Sequence, residues 1–236
     1  MDFPMGAVVA SNDEYSISLK TTLRYILSDL ARYQVTDGRS YPEILILCPG
    51  AIAGIYYRIG HWIWHYRGRW AALVMLLRPI YIIFKRLVEI YSGAAISPRA
   101  MIGPGLHINH FGSIFVADAI IGENCNLSHE VTIGVAGRGE KRGIPTIGNR
   151  VYIAAGTKIF GRISVGDDVA IGANAVVTKS IPDCAVVAGI PAEIISYDGS
   201  FDFVLYKTMH EDPKRLTNLA LHPQKVSKTA VKNEHA

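Results

Sequence analysis

Two histidines and two alanines stand at equivalent places along the middle of the chain, and their side chains suit one kind of chemistry. His110, His129, Ala155 and Ala173 each follow an aliphatic residue by two positions. An imidazole can remove a proton from a hydroxyl near neutral pH, and methyl side chains leave room for a slender ligand along the backbone. If the four residues share a column, they predict a groove in which a hydroxyl attacks a narrow thioester.

The element that would align these residues is a six-residue repeat. A period of six fits neither an amphipathic helix nor an alternating strand, but it fits short strands that each turn one aliphatic side chain inward. The sequence therefore predicts a mainly β fold, a parallel β-helix of triangular cross-section with three hexapeptides per coil. The thirteen aliphatic positions are Ile96, Ile102, Ile108, Ile114, Ile121, Leu127, Ile133, Ile147, Ile153, Ile159, Val165, Ile171 and Val177.

Three hexapeptides per coil place residues about eighteen apart above one another, with rungs about 4.8 Å apart. In this register Ile114 stacks on Ile96, and one extra residue precedes Ile121. The histidines and alanines then lie in one column, two residues beyond a ladder on one face. That ladder contains Ile108, Leu127, Ile153 and Ile171.

A longer interruption separates Ile133 from Ile147 and predicts an ejected loop, residues 135–145, in the coil above the histidines. Such a loop could cover the groove. Basic residues in the loop, and one after the last coil, are candidates for contacts with the phosphates of a cofactor. Ordinary solvated charge is the alternative for each. These residues are Arg138, Lys141, Arg142 and Lys179.

Composition sets broad limits. The chain has 236 residues and a formal net charge of +4, too mild to predict nucleic-acid binding. Cys48, Cys125 and Cys184 lack metal-type spacing and are predicted to be free thiols in a reducing compartment. Residues 1–16 are predicted to be a leader segment. They lack the pattern of a secretory signal, so a cytoplasmic location is expected. The predicted parts are a helical region (1–93), the β-helix (94–197) and a polar tail (198–236), which is expected to be loosely ordered apart from one short helix.

The N-terminal region is predicted to be helical and very apolar. A one-faced helix runs from Ser18 to Tyr33, and the segment 36–40, which contains Asp37 and Gly38, ends it. Segments 44–66 and 69–91 are rich in aromatic residues, yet their longest apolar run falls short of a spanning helix. Two roles stay open. The helices pack against other subunits, or they lie on the inner face of a membrane.

Several stretches resemble the hexapeptide-repeat acyltransferases, most closely their serine acetyltransferase-like branch. They are 102–110 (IGPGLHINH), 131–134 (VTIG), 171–177 (IGANAVV) and 187–192 (VAGIPA), with 28–33 and 57–62 in the helical part. The resemblance covers about Ser18 to Ile195. It implies a left-handed β-helix, a homotrimer, acetyl-CoA bound between neighbouring subunits, and His110 as the catalytic base. The helical part would join two trimers or contact a membrane.

Three positions depart from the pattern that the resemblance implies. Ala95 stands where the family has an Asp that orients the catalytic His, Asn109 where an Asp precedes that His, and Ile144 where a second functional His stands. These groups handle the amino acid acceptor in the family. Their loss favours a hydroxyl of a sugar or of a polysaccharide or glycoconjugate precursor as the acceptor, with serine as the alternative. Asn109 and Arg142 are predicted to contact the acceptor.

In the predicted reaction His110 deprotonates the acceptor as it attacks the thioester, without an acyl-enzyme. A backbone N–H near Gly134 is expected to stabilise the oxyanion. Ala155, Ala173 and Lys179, together with Gly134, are the predicted donor-binding residues. His129 is assigned to the catalytic site as well, with an uninvolved surface histidine as the alternative.

Two other classes of protein use such a solenoid. A metal-dependent hydratase would need three converging histidines, and His107, His110 and His129 are the candidates. His107 ends its hexapeptide whereas the other two stand third, so the three are not expected to point to one spot, and no metal is expected. A non-catalytic scaffold is the remaining alternative.

Overall fold

The computed structural model of the chain describes residues 18–139 and 142–222. The predictions for the leader, for Lys141 and for the part of the tail after His222 lie outside the described residues.

Five helices occupy the described part of the N-terminal region. The first is capped at both ends by the residue types that the sequence indicates. Ser18 accepts a hydrogen bond from the Thr21 N–H, and Gly38 ends the helix in the left-handed conformation with φ 67°, where glycine carries no steric cost. The helices are α1 Leu19–Asp37, α2 Tyr41–Leu47, α3 Pro49–His65, α4 Ala71–Met75 and α5 Leu77–Ser92.

The repeat forms a parallel β-solenoid, as predicted, and its three sheets are the walls of a prism. The first wall has the order β1-β4-β7-β10-β13, the second β2-β5-β8-β11 and the third β3-β6-β9-β12-β14, to which β15 adds antiparallel. The strands are β1 Ala94–Ile96, β2 Met101–Ile102, β3 His107–Asn109, β4 Ile114–Val116, β5 Ile120–Ile121, β6 Asn126–Ser128, β7 Thr132–Gly134, β8 Thr146–Ile147, β9 Tyr152–Ile153, β10 Lys158–Phe160, β11 Ser164–Val165, β12 Ala170–Ile171, β13 Val176–Val177, β14 Val186–Ala188 and β15 Glu193–Ser196.

The predicted ladder on the third wall is confirmed. Ile108 pairs with Leu127, Leu127 with Ile153, and Ile153 with Ile171. All four side chains are at most 3% exposed. Burying an aliphatic side chain of this size contributes about 1.5 to 3 kcal/mol, so the stacked coils supply a continuous core.

The register of the first wall differs from the prediction. Ile96 pairs with Val116, not with Ile114, which pairs instead with Ala94. Val116 in turn pairs with Ile133. Val116 therefore follows Ile108 by eight residues, whereas the equivalent Ile133 follows Leu127 by six. The extra residues lie just after β3. The predicted position of the extra residue, just before Ile121, is therefore wrong, because the chain lengthens one corner earlier, between Ile108 and Val116.

The helical region is fixed to the first coil by buried polar contacts. Arg58 forms a two-point ion pair with Asp29 at 2.8 and 3.0 Å and also donates to the carbonyl oxygens of Ile102 and Gly103. Asp29 accepts a further hydrogen bond from the Leu106 N–H at 2.8 Å. Because both charges are paired and hydrogen-bonded, the desolvation cost of burying them is offset.

The tail is more ordered than its composition predicts. Phe201, Val204 and Tyr206 are at most 5% exposed, and α6, Pro213–Leu221, follows them. Arg215 donates to the carbonyl oxygens of Phe201 and Val204, and Phe203 stacks on Tyr152 of the third wall at 4.8 Å. The prediction of a loosely ordered segment is therefore wrong for residues 198–222.

The α5 helix exposes a broad apolar face. Only Tyr81 and Ser92 of this helix are buried, whereas large apolar side chains on the rest are 42 to 81% exposed. In the described ranges no single helix has the length and apolarity to cross a bilayer, while the sharply bent pair α2 and α3 meets that test jointly. The exposed apolar residues of α5 are Leu77, Ile80, Ile82, Ile83, Phe84, Leu87, Ile90 and Tyr91.

Candidate active site

The four residues of the predicted column lie together where the third wall turns into the first. The Gly156 N–H donates to the carbonyl oxygen of His129 at 3.0 Å, and the Asn174 N–H donates to that of Ala155 at 2.8 Å. Ala155 therefore lies in the coil between His129 and Ala173. The rings of His110 and His129 are 5.7 Å apart and nearly perpendicular. Sequence spacing alone had predicted this alignment.

His110 is the first of the residues that follow β3, in the part of the coil that is longer than the repeat requires. Its backbone is left-handed, with φ 63°, and its side chain is exposed. Throughout the two described ranges no hydrogen bond restrains its imidazole, and Ala95, in β1 beside Phe115, offers only a methyl group. The Nδ1 atom of His129 is buried and has no hydrogen-bond partner among the described residues. The exposed imidazole of His110 is thus available to a substrate, whereas Nδ1 of His129 is enclosed by protein.

A cavity of about 390 Å³ lies beside His110, between the α1–α2 connection and β3. Asp37 and Arg39 reach it from the helical side, and Asn109 and His110 from the solenoid side. The cavity is therefore lined by a negative charge, a positive charge and a candidate base. Pockets of this volume typically bind small molecules through a few placed polar groups.

The end of α1 is fixed against β3, and this sets the position of the cavity wall. The Tyr33 hydroxyl donates to the carbonyl oxygen of Ile108 at 3.2 Å and accepts from the Ile108 N–H at 3.1 Å. Arg32 donates to the carbonyl oxygen of Gly105 at 2.8 Å. At the start of α3, a Cβ on Gly50 would lie 2.7 Å from the Ile108 oxygen, so glycine permits this close approach.

Three other predicted site residues lie at a different corner. Gly134 ends β7, Arg142 lies in the loop closed by the Ala136–Gly143 bridge, and Lys179 follows β13. All three are where the first wall turns into the second, one wall away from His110. Within one chain the described residues of the loop therefore lie one corner away from the histidine column, whereas the sequence had placed the loop beside it, and neither Gly134 nor Arg142 lines the cavity.

His107 is not part of this site. Its ring is 1% exposed and packs against Tyr33 at 4.4 Å. Neither ring nitrogen has a hydrogen bond to any residue in 18–139 or 142–222. Burial, with the nearby Arg32 charge, lowers the pKa of His107 to about 3. The chain as described contains no cluster of three His, Cys, Asp or Glu side chains arranged to hold a metal ion.

Asp37 and Arg39 were missed as site residues. In the sequence, segment 36–40 indicated only the end of a helix, and it does end α1. Two charged residues around the glycine of a short turn were the available signal, but nothing local connects them with a histidine some seventy residues away in the sequence.

No family profile matches the chain. The serine acetyltransferase of Mycobacterium tuberculosis is 36% identical over 169 residues, covering 69% of the chain and 70% of that protein. The serine acetyltransferase of Helicobacter pylori is 36% identical over 157 residues, covering 66% of the chain and 86% of that protein. Among solved structures, the serine acetyltransferase of Neisseria gonorrhoeae matches with a TM-score of 0.64 and 28% identity over 76% of the chain and 70% of that structure. A serine acetyltransferase in complex with CoA matches with a TM-score of 0.63 and 27% identity, over 75% of the chain and 71% of that structure.

The solenoid, the histidine column and these relatives define the protein as an acyltransferase of the hexapeptide-repeat class. Within that class, the chain belongs to the serine acetyltransferase family. The expectation of a sugar or polysaccharide acceptor finds no support among these relatives.

Proposed function

We propose that the protein transfers the acetyl group of acetyl-CoA to the hydroxyl of L-serine. The observation that carries this proposal is the position of His110, which lies both at the wall of the cavity and in the column of Ala155 and Ala173. A donor lying along the alanines would bring its thioester to the same imidazole that faces an acceptor in the cavity. The names of the relatives support serine as that acceptor.

In the proposed reaction His110 takes the proton of the acceptor hydroxyl while the oxygen bonds to the thioester carbonyl carbon. The tetrahedral intermediate then collapses, the carbon–sulfur bond breaks, and the imidazolium returns its proton to the departing CoA thiolate. The products are the O-acetyl ester and CoA with a free thiol, and His110 is neutral again. No acyl-enzyme forms, so His129 is not needed as a nucleophile.

The donor site is proposed to lie between subunits. Gly134, Arg142 and Lys179 are one wall away from His110 in the same chain. In the homotrimer that the sequence resemblance implies, the basic corner of one subunit could face the histidine corner of the next. Arg142 and Lys179 would then meet CoA phosphates, and a backbone N–H near Gly134 would reach the oxyanion.

A sugar hydroxyl is the second candidate acceptor. The observation in its favour is that Ala95, Asn109 and Ile144 offer neither a carboxylate nor an imidazole at the three positions where the sequence resemblance implies them. Ile144 instead packs partly buried against the solenoid core.

The test is release of free thiol from acetyl-CoA by the purified protein. The acceptors are L-serine and, separately, a panel of sugars and lipid-linked sugars. Faster release with L-serine, together with O-acetylserine in the product, is expected. Release with a sugar but not with L-serine would replace the proposed acceptor, and no release with any acceptor would contradict the assignment as an O-acetyltransferase.

A further inference from the structure

We propose that His129 is a positioning residue for His110. A nitrogen of the neutral His129 imidazole accepts a hydrogen bond from the ring N–H of His110, which leaves the other nitrogen of His110 free to take the proton of the acceptor. His110 is the base, and His129 acts only through it. This inference rests on the proposed function, because it concerns the base of that reaction.

The imidazole of His110 lacks a partner that would fix its tautomer. A neutral imidazole has one N–H and one bare nitrogen, and the bare nitrogen must face the hydroxyl whose proton is removed. A hydrogen bond from the N–H to a second group holds this tautomer and stabilises the imidazolium that forms. No residue in the described ranges makes a hydrogen bond to the His110 ring, and the side chain of Ala95 is a methyl group.

The ring of His129 is close enough to supply this partner. The centroids of the two rings are 5.7 Å apart, and the ring planes are inclined by 75°. Steeply inclined imidazoles can still share a straight N–H···N hydrogen bond, because the N–H bond and the nitrogen lone pair each lie in their own ring plane. The separation slightly exceeds that of a formed bond, and a rotation of the exposed His110 side chain closes it. Hydrogen bonds of catalytic groups are often long before the substrate binds.

An unpaired nitrogen of His129 also points to such a bond. Nδ1 is enclosed by protein and has no hydrogen-bond partner in the part of the chain that the structure describes, although the ring as a whole is only half-buried. A buried polar atom without a partner costs free energy. A hydrogen bond from His110 to this nitrogen would remove the cost.

Backbone hydrogen bonds fix the turns that carry the two histidines against each other. The Glu130 N–H donates to the carbonyl oxygen of Gly112 at 2.9 Å, which joins the residue after His129 to the second residue after His110. The Gly156 N–H of the next coil donates to the carbonyl oxygen of His129 at 3.0 Å. Both turns contain a left-handed residue, His110 with φ 63° and Glu130 with φ 59°. The relative position of the rings is therefore set by the solenoid.

The proposed hydrogen bond strengthens as the reaction proceeds. When His110 takes the proton of the acceptor it becomes an imidazolium, and its bond to the neutral His129 becomes charge-assisted. His129 neither gains nor loses a proton, and His110 passes its extra proton to the CoA thiolate. A bond that is stronger in the transition state than in the ground state raises kcat and leaves substrate affinity unchanged.

The kinetic experiment compares three replacements of His129. His129→Leu removes both ring nitrogens, whereas His129→Asn and His129→Gln place an amide oxygen close to the former positions of Nδ1 and Nε2. For each variant kcat and the KM values for acetyl-CoA and L-serine are measured, together with the melting temperature. His210→Leu, at an exposed position in the tail, is the matched control and should keep wild-type kinetics.

His129→Leu is expected to lower kcat by about tenfold to a hundredfold, as for the loss of a hydrogen bond to a charged group. Both KM values should stay within about threefold, because His129 binds neither substrate in the proposed arrangement. At least one of the two amide variants should keep kcat within about threefold of the wild type, since its oxygen can accept the His110 N–H. A role in packing alone would give no such rescue.

The tautomer of His110 can also be measured without any substrate. The ¹⁵N chemical shifts of the ring nitrogens distinguish the two tautomers in protein labelled at histidine, and His110→Asn identifies the signals of His110. One tautomer is expected in the wild type and a mixture of both in His129→Leu. This measurement tests the inference even if the acceptor is not L-serine.

A kcat of His129→Leu close to that of the wild type, or the same His110 tautomer in both proteins, would overturn the inference while leaving the proposed function intact. So would an equal loss of kcat in all three folded variants, or a rise in KM for acetyl-CoA alone, which would make His129 a donor contact. Turnover of a sugar in place of L-serine by the wild type would overturn the proposed acceptor and leave the tautomer measurement valid.

Discussion

At the scale of single residues, the imidazole of His110 owes its place to two irregularities. The coil that contains it has extra residues after β3, and its own backbone is left-handed with φ 63°. A non-glycine residue in this conformation carries strain of about 1 kcal/mol or more, and Asn, Asp and His tolerate it best. The chain therefore keeps an exposed histidine in a conformation that most residues avoid.

His107 allows a prediction about pH. Burial lowers its pKa from an ordinary value of 6.5 to about 3, so the unfolded chain binds the proton more readily than the folded chain. The resulting contribution to the free energy of unfolding is fully present above a pH of about 6.5 and is lost as the pH falls toward 3. His107→Phe keeps the ring and removes the titration. We expect its melting temperature to fall less than that of the wild type between about pH 7.5 and about pH 5.

The control for this prediction is His210→Phe, because His210 is exposed. It should keep the wild-type dependence on pH. An equal loss of melting temperature in wild type and His107→Phe on acidification would show that the buried ring is not responsible.

At the scale of elements, the hexapeptide period predicted the walls but not every register. The strand β4 buries two side chains that lie two residues apart, Ile114 and Val116, each 1% exposed. Both are aliphatic, so the pattern could not distinguish which one pairs with Ile96. The tail was misjudged for a different reason. Phe203 packs on Tyr152 of the solenoid surface, and Arg215 binds the carbonyl oxygens of Phe201 and Val204 within the tail. Composition carries no information about either contact.

The Asp29–Arg58 pair joins α1 and α3 to the first coil. Asp29→Asn would leave a guanidinium that is 2% exposed without its counter-charge. We expect it to lower the free energy of unfolding by about 3 to 5 kcal/mol, as for other broken buried pairs. Denaturant unfolding would measure this loss.

Arg99→Ala is the matched control, because its partner Asp118 is 3.1 Å away and both side chains are largely exposed. Its effect should be close to zero. A similar cost for the two substitutions would mean that burial of the Asp29–Arg58 pair is not what fixes the helices to the solenoid.

At the scale of the whole molecule, the sequence predicted half of the candidate site. The column of His110, His129, Ala155 and Ala173 follows from a repeat that the sequence itself displays. The cavity does not, since Asp37 and Arg39 approach His110 only through the packing of α1 on β3. The corner with the basic residues Arg142 and Lys179 was predicted as part of the same groove. Within a single subunit, however, the whole first wall lies between this corner and the histidines.

The exposed face of α5 leads to a prediction about assembly. Leu77, Ile80, Phe84, Leu87 and Tyr91 are spaced three and four residues apart in alternation and are 42 to 57% exposed, the spacing of a seam that packs against another helix. We expect this face to pack against a second copy of the chain, with a wild-type mass in solution of three times 25.8 kDa or a multiple of that. Ile80→Glu should reduce the mass measured by light scattering.

Ile82→Glu is the control, because Ile82 is 47% exposed on the same helix but lies outside the seam. It should leave the assembly unchanged. A monomeric wild type that binds vesicles containing anionic lipid would contradict this prediction and favour a membrane surface as the partner of α5.

The most direct test of the central claim is the turnover number of His110→Asn with acetyl-CoA and L-serine. Asparagine suits the left-handed backbone at this position, so the fold and the melting temperature should be retained while the base is removed. We predict a fall in kcat of about 10² to 10⁴, the range of a general base. A folded variant with kcat within about threefold of the wild type would show that the proton is removed elsewhere.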